Sequence, residues 1–323
     1  MKRKFWHRLV KPATVDFILE GLATPGYSLG DLLHGYVYGR WTYLYIGIGI
    51  GEHRVARLYN RAARSVRRVT RLVLPLRHRR RATARAAQPA PRRTLADTYH
   101  GKVVPLEAAT RLVTVQEDIR LENLEKIIPY PMARDIILQN PHHIIALECP
   151  CRAARPDPCL PLDVCLIVGE PFTTFVTEHH ASRSRWITQA EAVEILQAED
   201  ARGHVHHAFF KDAMFGRFYA ICNCCACCCG AMQAQRRGSP MLAASGYLAR
   251  LDEDLCIGCG ECQGSCQFKA LSLDGFLSAV DEEKCMGCGV CVNKCAQGAL
   301  TLVRAPEKGT PLEICTLMDQ AAS

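Results

Sequence analysis

Apolar and polar positions along the chain change period from stretch to stretch. Between Glu52 and Leu74, Val55, Tyr59, Ala62, Val66, Val69 and Val73 recur at spacings of four and three. Such spacing stacks them on one face of a helix. Arg54, Arg57, Arg61, Arg64, Arg68 and Arg71 fill much of the remainder, and Pro75 should stop the helix. The preceding run, 35–51, reads GYVYGRWTYLYIGIGIG. It is too short to span a bilayer, and Arg40 interrupts it. Its Tyr and Trp residues suit a membrane–water interface, and a buried helix or strand pair is equally open. Gly47, Gly49 and Gly51 do not form a dinucleotide fingerprint, because Glu52 stands where the third glycine belongs.

Further along, residues 101–140 read as short helices. Pro105 opens one and Pro131 takes the first position of another. His143 to Leu147 is an apolar run that ends in Glu148-Cys149-Pro150-Cys151. Thr188 and Glu191 form a capping box, Val193 and Leu196 an apolar face, and Gly203 closes that helix. Val205 to Phe210 and Arg217 to Ile221 read as strands joined by a turn at Gly216. The second strand leads into Cys222-Asn223-Cys224.

A length of 323 residues usually means two or three domains, and 49% hydrophobic residues permit a buried core. The net charge of +8 conceals an asymmetry. Residues 1–100 carry +15 and residues 101–323 carry −7. A basic amphipathic helix beside an aromatic patch reads as peripheral membrane contact through residues 35–74. Docking on a partner subunit is the plainer alternative. Nucleic-acid binding ranks below both, since no base-stacking or groove-reading motif accompanies the arginines. Residues 77–93, RHRRRATARAAQPAPRR, read as a solvated linker.

The 19 cysteines change the picture most. Cys256, Cys259, Cys262 and Cys266 follow the spacing C-x2-C-x2-C-x3-C. Cys285, Cys288, Cys291 and Cys295 repeat it 29 residues later. Asp252-Glu253, Gly258, Gly260 and Ala270-Leu271 recur at the same offset as Asp281-Glu282, Gly287, Gly289 and Ala299-Leu300. One small unit is written twice. The spacing suits [4Fe-4S] cubes, in which the fourth cysteine of each run ligates the other cluster. One cube then takes Cys256, Cys259, Cys262 and Cys295, and the other takes Cys285, Cys288, Cys291 and Cys266. Zinc knuckles also use C-x2-C pairs, but not this double pattern.

On these motifs, residues 250–303 resemble the bacterial two-[4Fe-4S] ferredoxins and the ferredoxin modules of larger oxidoreductases. The resemblance implies electron transfer with redox partner proteins. Gln267 and Ala296 depart from the family, which usually places Pro after the fourth cysteine. Each departure restores an N–H donor beside a cluster and leaves ligation intact.

Ten further cysteines form two groups: Cys149, Cys151, Cys159 and Cys165, then Cys222, Cys224, Cys225, Cys227, Cys228 and Cys229. Each group opens with Cys-x-Cys directly after an apolar run. In extended chain the two thiols face one side. If the strands are neighbours, Cys149, Cys151, Cys222 and Cys224 converge. Further iron–sulfur clusters, a zinc site and redox-active dithiols are the three readings of this field. The arrangement LECPCR, PCLPLDVC and ICNCCACCC resembles a group of iron–sulfur proteins that carry a cysteine-rich region ahead of a two-cluster ferredoxin domain. Cys228-Cys229-Gly230 matches the Cys-Cys-Gly element of heterodisulfide-reductase sites, but the long spacers of that pattern are missing. Cys315 reads as an ordinary small apolar residue. His142-His143, His179-His180 and the set His204, His206, His207 read as solvent-facing rather than as ligands.

The expected fold is α+β. It comprises a basic helical region at 1–76, a linker at 77–97, a cysteine-rich α/β domain at 98–244, a ferredoxin-like two-cluster domain at 245–305 and a tail at 306–323. The expected function is electron transfer. The alternative is the iron–sulfur subunit of an oxidoreductase, with a substrate or thiol-redox site within 149–229. No secretory signal is visible, and reduced thiols holding iron fit a cytoplasmic location, at the inner face of the membrane if the basic region docks there.

Overall fold

The structure, a computed structural model, describes residues 11–59, 62, 99–122, 124–129 and 135–322. The Arg-rich segment at 77–93, Pro131, and the stripe positions Val66, Val69 and Val73 lie outside the described residues.

The first described elements are three helices, α1 (Pro12–Ala23), α2 (Leu29–Arg40) and α3 (Thr42–Gly49). Pro12 starts α1, where its missing N–H costs nothing. Ser28 and Asp31 form a capping box that fixes the start of α2. The aromatic run at 35–51 is therefore helical.

A sheet of eight strands follows. Its path runs β2 (Ile119–Leu121), β3 (Ile136–Glu148), β4 (Asp163–Glu170), β7 (Arg217–Cys224), β6 (Val205–Lys211), β1 (Tyr99–Val104) and β8 (Leu242–Ala243), with β5 (Ser184–Ile187) beside β3. All pairings are antiparallel except β1 with β8. Residues 101–140 were expected as short helices. Among the described residues of that stretch, α4 (Leu106–Val113), with Pro105 at its N-cap, and a single turn at Leu124–Lys126 fit that expectation. The remainder supplies β1, β2 and the first part of β3. In β1, five of the six residues are buried, so the period-two alternation of a half-exposed strand is absent.

Alternate residues of each central strand enter different cores. In β4, Cys165 and Ile167 face the first core, while Leu166 and Val168 face the second. The first core is covered by α1, α2 and α6 (Phe172–His179), through Phe17, Tyr38 and Phe175. The second lies under α4 and α7 (Gln189–Ala201), through Leu112 and Leu196. The Thr188–Glu191 capping box is present at the start of α7, and Gly203 follows its end at φ +80°. The strands β6 and β7 pair as the hydrophobic pattern predicts.

The C-terminal module pairs β9 (Tyr247–Leu251) with β12 (Leu300–Arg304) and β10 (Leu271–Asp274) with β11 (Leu277–Val280). Short helices α9 (Glu261–Ser265) and α10 (Val290–Lys294) each follow a glycine in the left-handed region, Gly260 or Gly289. Beyond the module the chain returns to the sheet. Leu312 and Ile314, at 2% and 1% exposure, join the second core, and Ile314 begins a last helix, Ile314–Ala322. The whole is a mixed α+β structure.

Candidate metal centres

In the C-terminal module the eight repeated cysteines line two separate cavities. One, of about 20 Å³, is lined by Cys256, Cys259, Cys262 and Cys295. The other, also of about 20 Å³, is lined by Cys285, Cys288, Cys291 and Cys266. The loops that carry the first three thiols of each set depend on glycine. Gly258 and Gly287 have φ +66° and +64°, and an added Cβ would stand 2.1 Å from the carbonyl oxygens of Phe276 and Tyr247. Only glycine allows that approach. The two cavities differ in depth. Cys259 is exposed in the first, whereas Cys285 and Cys291 are buried in the second. Burial raises the Cys288 thiol and pushes Cys291 up to about 12. Backbone hydrogen bonds at Ser278 and Gly258 lower Cys256. A thiol raised by burial alone gains most from an electropositive partner, which is what a metal supplies.

The central field contains two groupings. Eight of its ten cysteines line one cavity of about 60 Å³ in the first core. Within it the thiol of Cys149 approaches those of Cys151 and Cys165, Cys165 that of Cys222, Cys151 that of Cys229, and Cys229 that of Cys224, closely enough to share hydrogen bonds, and all are free. These six thiols form one connected chamber. The hydrogen bonds from Cys151 and Cys165 hold Cys149 well below the ordinary thiol range, while Cys165 is pushed up by the same contacts and by burial. Cys225 and Cys228 touch the chamber but belong with Cys159 and Cys227. The sulfurs of those four lie within 4.8 Å of one another.

Both Cys-x-Cys pairs reach the chamber, by a route other than the one expected. The strands β3 and β7 are not neighbours. β4 lies between them, and it places Cys165 opposite Cys222 and Leu147 opposite Cys165. Nor does Cys149-Pro150-Cys151 continue as extended chain. Pro150 starts a short helix, α5 (Pro150–Ala153), which turns Cys151 inward. In β7 the alternation holds. Cys222 and Cys224 line the chamber, while the Asn223 side chain bonds to His206 and to the Val164 carbonyl.

The chamber also has parts that the residue pattern did not reveal. Tyr38, Gly39, Thr42 and Ile46 of α2 and α3 line its wall. The hydroxyls of Tyr38 and Tyr219 bond at 2.9 Å, and Tyr43 donates to the Glu148 carbonyl at 2.8 Å. Arg152, 1% exposed, donates to Glu199 at 2.5 Å and to the Asn223 carbonyl at 3.0 Å. A Cys-flanked arginine was the only local signal for it.

The histidine pairs are mostly not solvent-facing, which corrects the expectation. His206 and His207 are fully enclosed and His204 is 7% exposed. His204 bonds to Glu199 at 2.6 Å, His143 to Glu170 at 2.7 Å, His179 to Thr14 at 2.8 Å and His180 to the Gly39 carbonyl at 2.7 Å. They bind helices and strands to one another, so their polarity gave a wrong sign of exposure; only His142 is exposed. Cys315 is exposed and belongs to neither field.

The module meets the sheet through its second cavity. Phe268 and Met286 line that cavity and also pack on the first core. Gln267 accepts from the Ala226 amide at 2.8 Å and donates to the Gly203 carbonyl at 2.9 Å. Asn293 donates to Asp200 at 2.9 Å. The residue that departs from the ferredoxin pattern is thus a clamp between module and sheet, a use that proline cannot serve.

No curated protein matches the chain. Residues 249–307 match the model of the 4Fe-4S dicluster domain family, so the C-terminal module is a 4Fe-4S ferredoxin-type domain.

Proposed function

We propose that the protein transfers electrons, with one [4Fe-4S] cluster on Cys256, Cys259, Cys262 and Cys295 and a second on Cys285, Cys288, Cys291 and Cys266. One observation carries the reading. The eight thiols divide between two cavities, each lined by three cysteines of one motif and the last of the other. When bound, such clusters supply one-electron transfer. The chain holds them apart, buries one more deeply than the other and sets the second against the cysteine chamber. That adjacency supports a further metal centre on Cys149, Cys151, Cys165, Cys222, Cys224 and Cys229.

The test is iron and sulfide analysis of anaerobically purified protein, with EPR after reduction. Cys256→Ala and Cys295→Ala are expected to remove one and the same signal, and Cys266→Ala the other. If Cys256→Ala and Cys266→Ala abolish the same signal, the crossed ligation is wrong.

A second reading is an oxidoreductase subunit that reduces a small substrate in the chamber. The cavity itself and the Tyr38 and Tyr219 hydroxyls beside the thiols favour it. Substrate-dependent reoxidation of the reduced protein separates this reading from a pure carrier.

The reading includes redox partner proteins, a cytoplasmic location and peripheral membrane contact through residues 35–74. Exposed Trp41, Leu44, Ile48, Val55 and Tyr59 support the membrane contact. No described helix is long and apolar enough to cross a membrane.

A further inference from the structure

The run Cys224-Cys225-Ala226-Cys227-Cys228-Cys229 divides its thiols between two directions. The thiols of Cys224 and Cys229 approach each other inside the chamber. Cys225, Cys227 and Cys228 gather instead around Cys159, which comes from the loop between α5 and β4. The Cys159 and Cys227 sulfurs are 3.1 Å apart, those of Cys227 and Cys228 3.7 Å, and all four lie within 4.8 Å. A tetrahedral ion with metal–sulfur bonds of about 2.3 Å sets its sulfurs about 3.8 Å apart. A cubane spreads its four thiolates wider, because four irons and four sulfides stand between them. The observed spacings, 3.1 and 3.7 Å with none beyond 4.8 Å, bracket the single-ion value and fall short of a cubane's spread.

We infer that Cys159, Cys225, Cys227 and Cys228 hold a single four-coordinate thiophilic ion, zinc or mononuclear iron, at the edge of the chamber that Cys225 and Cys228 also line, and distinct from the two clusters of the C-terminal module. Four protein thiolates leave no open position, so the site is structural. Its surroundings agree. The backbone of the knuckle is held from every side. Arg155 donates to the Cys228 carbonyl at 3.1 Å and to Glu52 of the N-terminal region at 2.8 Å. Gln233 of helix α8 (Gly230–Arg236) donates to the Cys227 carbonyl at 2.7 Å. Gln267 of the C-terminal module holds the Ala226 amide at 2.8 Å. The knuckle is the point where the N-terminal region, the sheet and the ferredoxin-type module meet. Arg155 and Arg236 also bring positive charge to a loop that carries a net negative charge when four thiolates bind a divalent ion. Arg236 donates to the Ala226 and Gln267 carbonyls.

The inference stands beside the proposed clusters and fails independently of them. The experiment counts zinc and iron in full-length protein purified anaerobically, against Cys159→Ser, Cys227→Ser and the exposed control Cys315→Ser. One metal atom per chain, zinc or iron, is expected to disappear from the first two variants and to remain in the control. The reduced EPR signals of the C-terminal module are expected to be unchanged. Loss of about four irons overturns the single ion in favour of a cube. No loss of metal from either variant overturns the site, in favour of redox thiols where a Cys159–Cys227 disulfide is mapped in the wild type. Should both variants fail to fold, X-ray absorption of the wild type at the edge of a singly bound metal decides. Four sulfurs at about 2.3 Å and no metal–metal vector are expected. A short metal–metal vector, or no metal in excess of complete cubes, overturns the site.

Discussion

Arg152 shows what a single residue contributes beside the chamber. Its guanidinium is 1% exposed and its partner Glu199 is fully enclosed. Against burial, the hydrogen bond from His204 and the charge of Arg152 keep the Glu199 carboxyl below its ordinary range. Removing one partner strands a buried charge, which costs about 3–5 kcal/mol. Arg152→Met is therefore expected to lower the urea midpoint sharply, and Arg152→Met with Glu199→Leu to recover part of the loss. A single variant as stable as the wild type would show that Glu199 is satisfied without Arg152. Lys211 makes a second, pH-dependent case. It lies among the rings of Tyr38, Tyr45 and Tyr99, and burial pushes it down to about 8, against a weaker upward pull from Asp212. Between pH 8 and the ordinary 10.5 the unfolded chain binds more protons at this position than the native one. Stability then rises with pH across that window, by up to about 3 kcal/mol, and the gain is lost again as pH falls through 8. Urea midpoints at pH 7.5 and 10 are expected to rise for the wild type relative to Lys211→Met. A constant difference between the two proteins would refute the shift.

Among the elements, the paired cluster-binding loops depend on backbone that only glycine can supply. Gly287 and Gly298 share φ +64°, but their surroundings differ. A Cβ at Gly287 would press on the Tyr247 carbonyl at 2.1 Å, whereas a Cβ at Gly298 meets nothing within 4 Å. Gly298→Ala is expected to cost only the left-handed strain, about 1 kcal/mol, and to keep its iron. Gly287→Ala is expected to displace β9 or the loop and to lose iron from the second cavity. Equal iron contents would show that the loop gives way without consequence. The cap of α7 is a milder element. Thr188 accepts from the Glu191 amide at 3.1 Å, and Glu191 accepts in return from the Thr188 amide at 2.8 Å. Thr188→Ala is expected to cost about 1 kcal/mol in thermal or urea unfolding.

Across the whole molecule, the N-terminal helices have two faces. The inner face lines the cysteine chamber, and the outer face leaves Leu29 and Leu33 73% and 64% exposed. Deleting everything before Asp97 would therefore open the chamber and could not report on membrane contact alone. Substitution of the outer face is the cleaner test. Leu29→Ser with Leu33→Ser is expected to reduce flotation with anionic vesicles while iron content and melting temperature stay unchanged. Flotation should weaken with salt in both proteins, since surface arginines act through screened charge. Unchanged flotation would move the exposed leucines to contact with a protein partner.

What the residue pattern alone determined is what chain connectivity controls. The C-x2-C-x2-C-x3-C loops, the capping box at Thr188 and the β6–β7 hairpin all act within a few residues, so their spacing carries their geometry. The C-x2-C-x2-C-x3-C spacing proposes the crossed division of eight thiols, and each cavity is lined by three cysteines of one run and the last of the other. Only the tertiary structure decided what depends on long-range packing. It inserted β4, with Cys165, between the two strands that were expected to be neighbours. It separated ten central thiols into a chamber of six and a knuckle of four, although consecutive residues of one run serve both. It buried His206 and His207, because a strand covered on both faces hides polar side chains as readily as apolar ones. It also set helices α2 and α3 over the chamber, since an aromatic apolar face is satisfied equally by lipid and by a protein core, and no local pattern distinguishes the two.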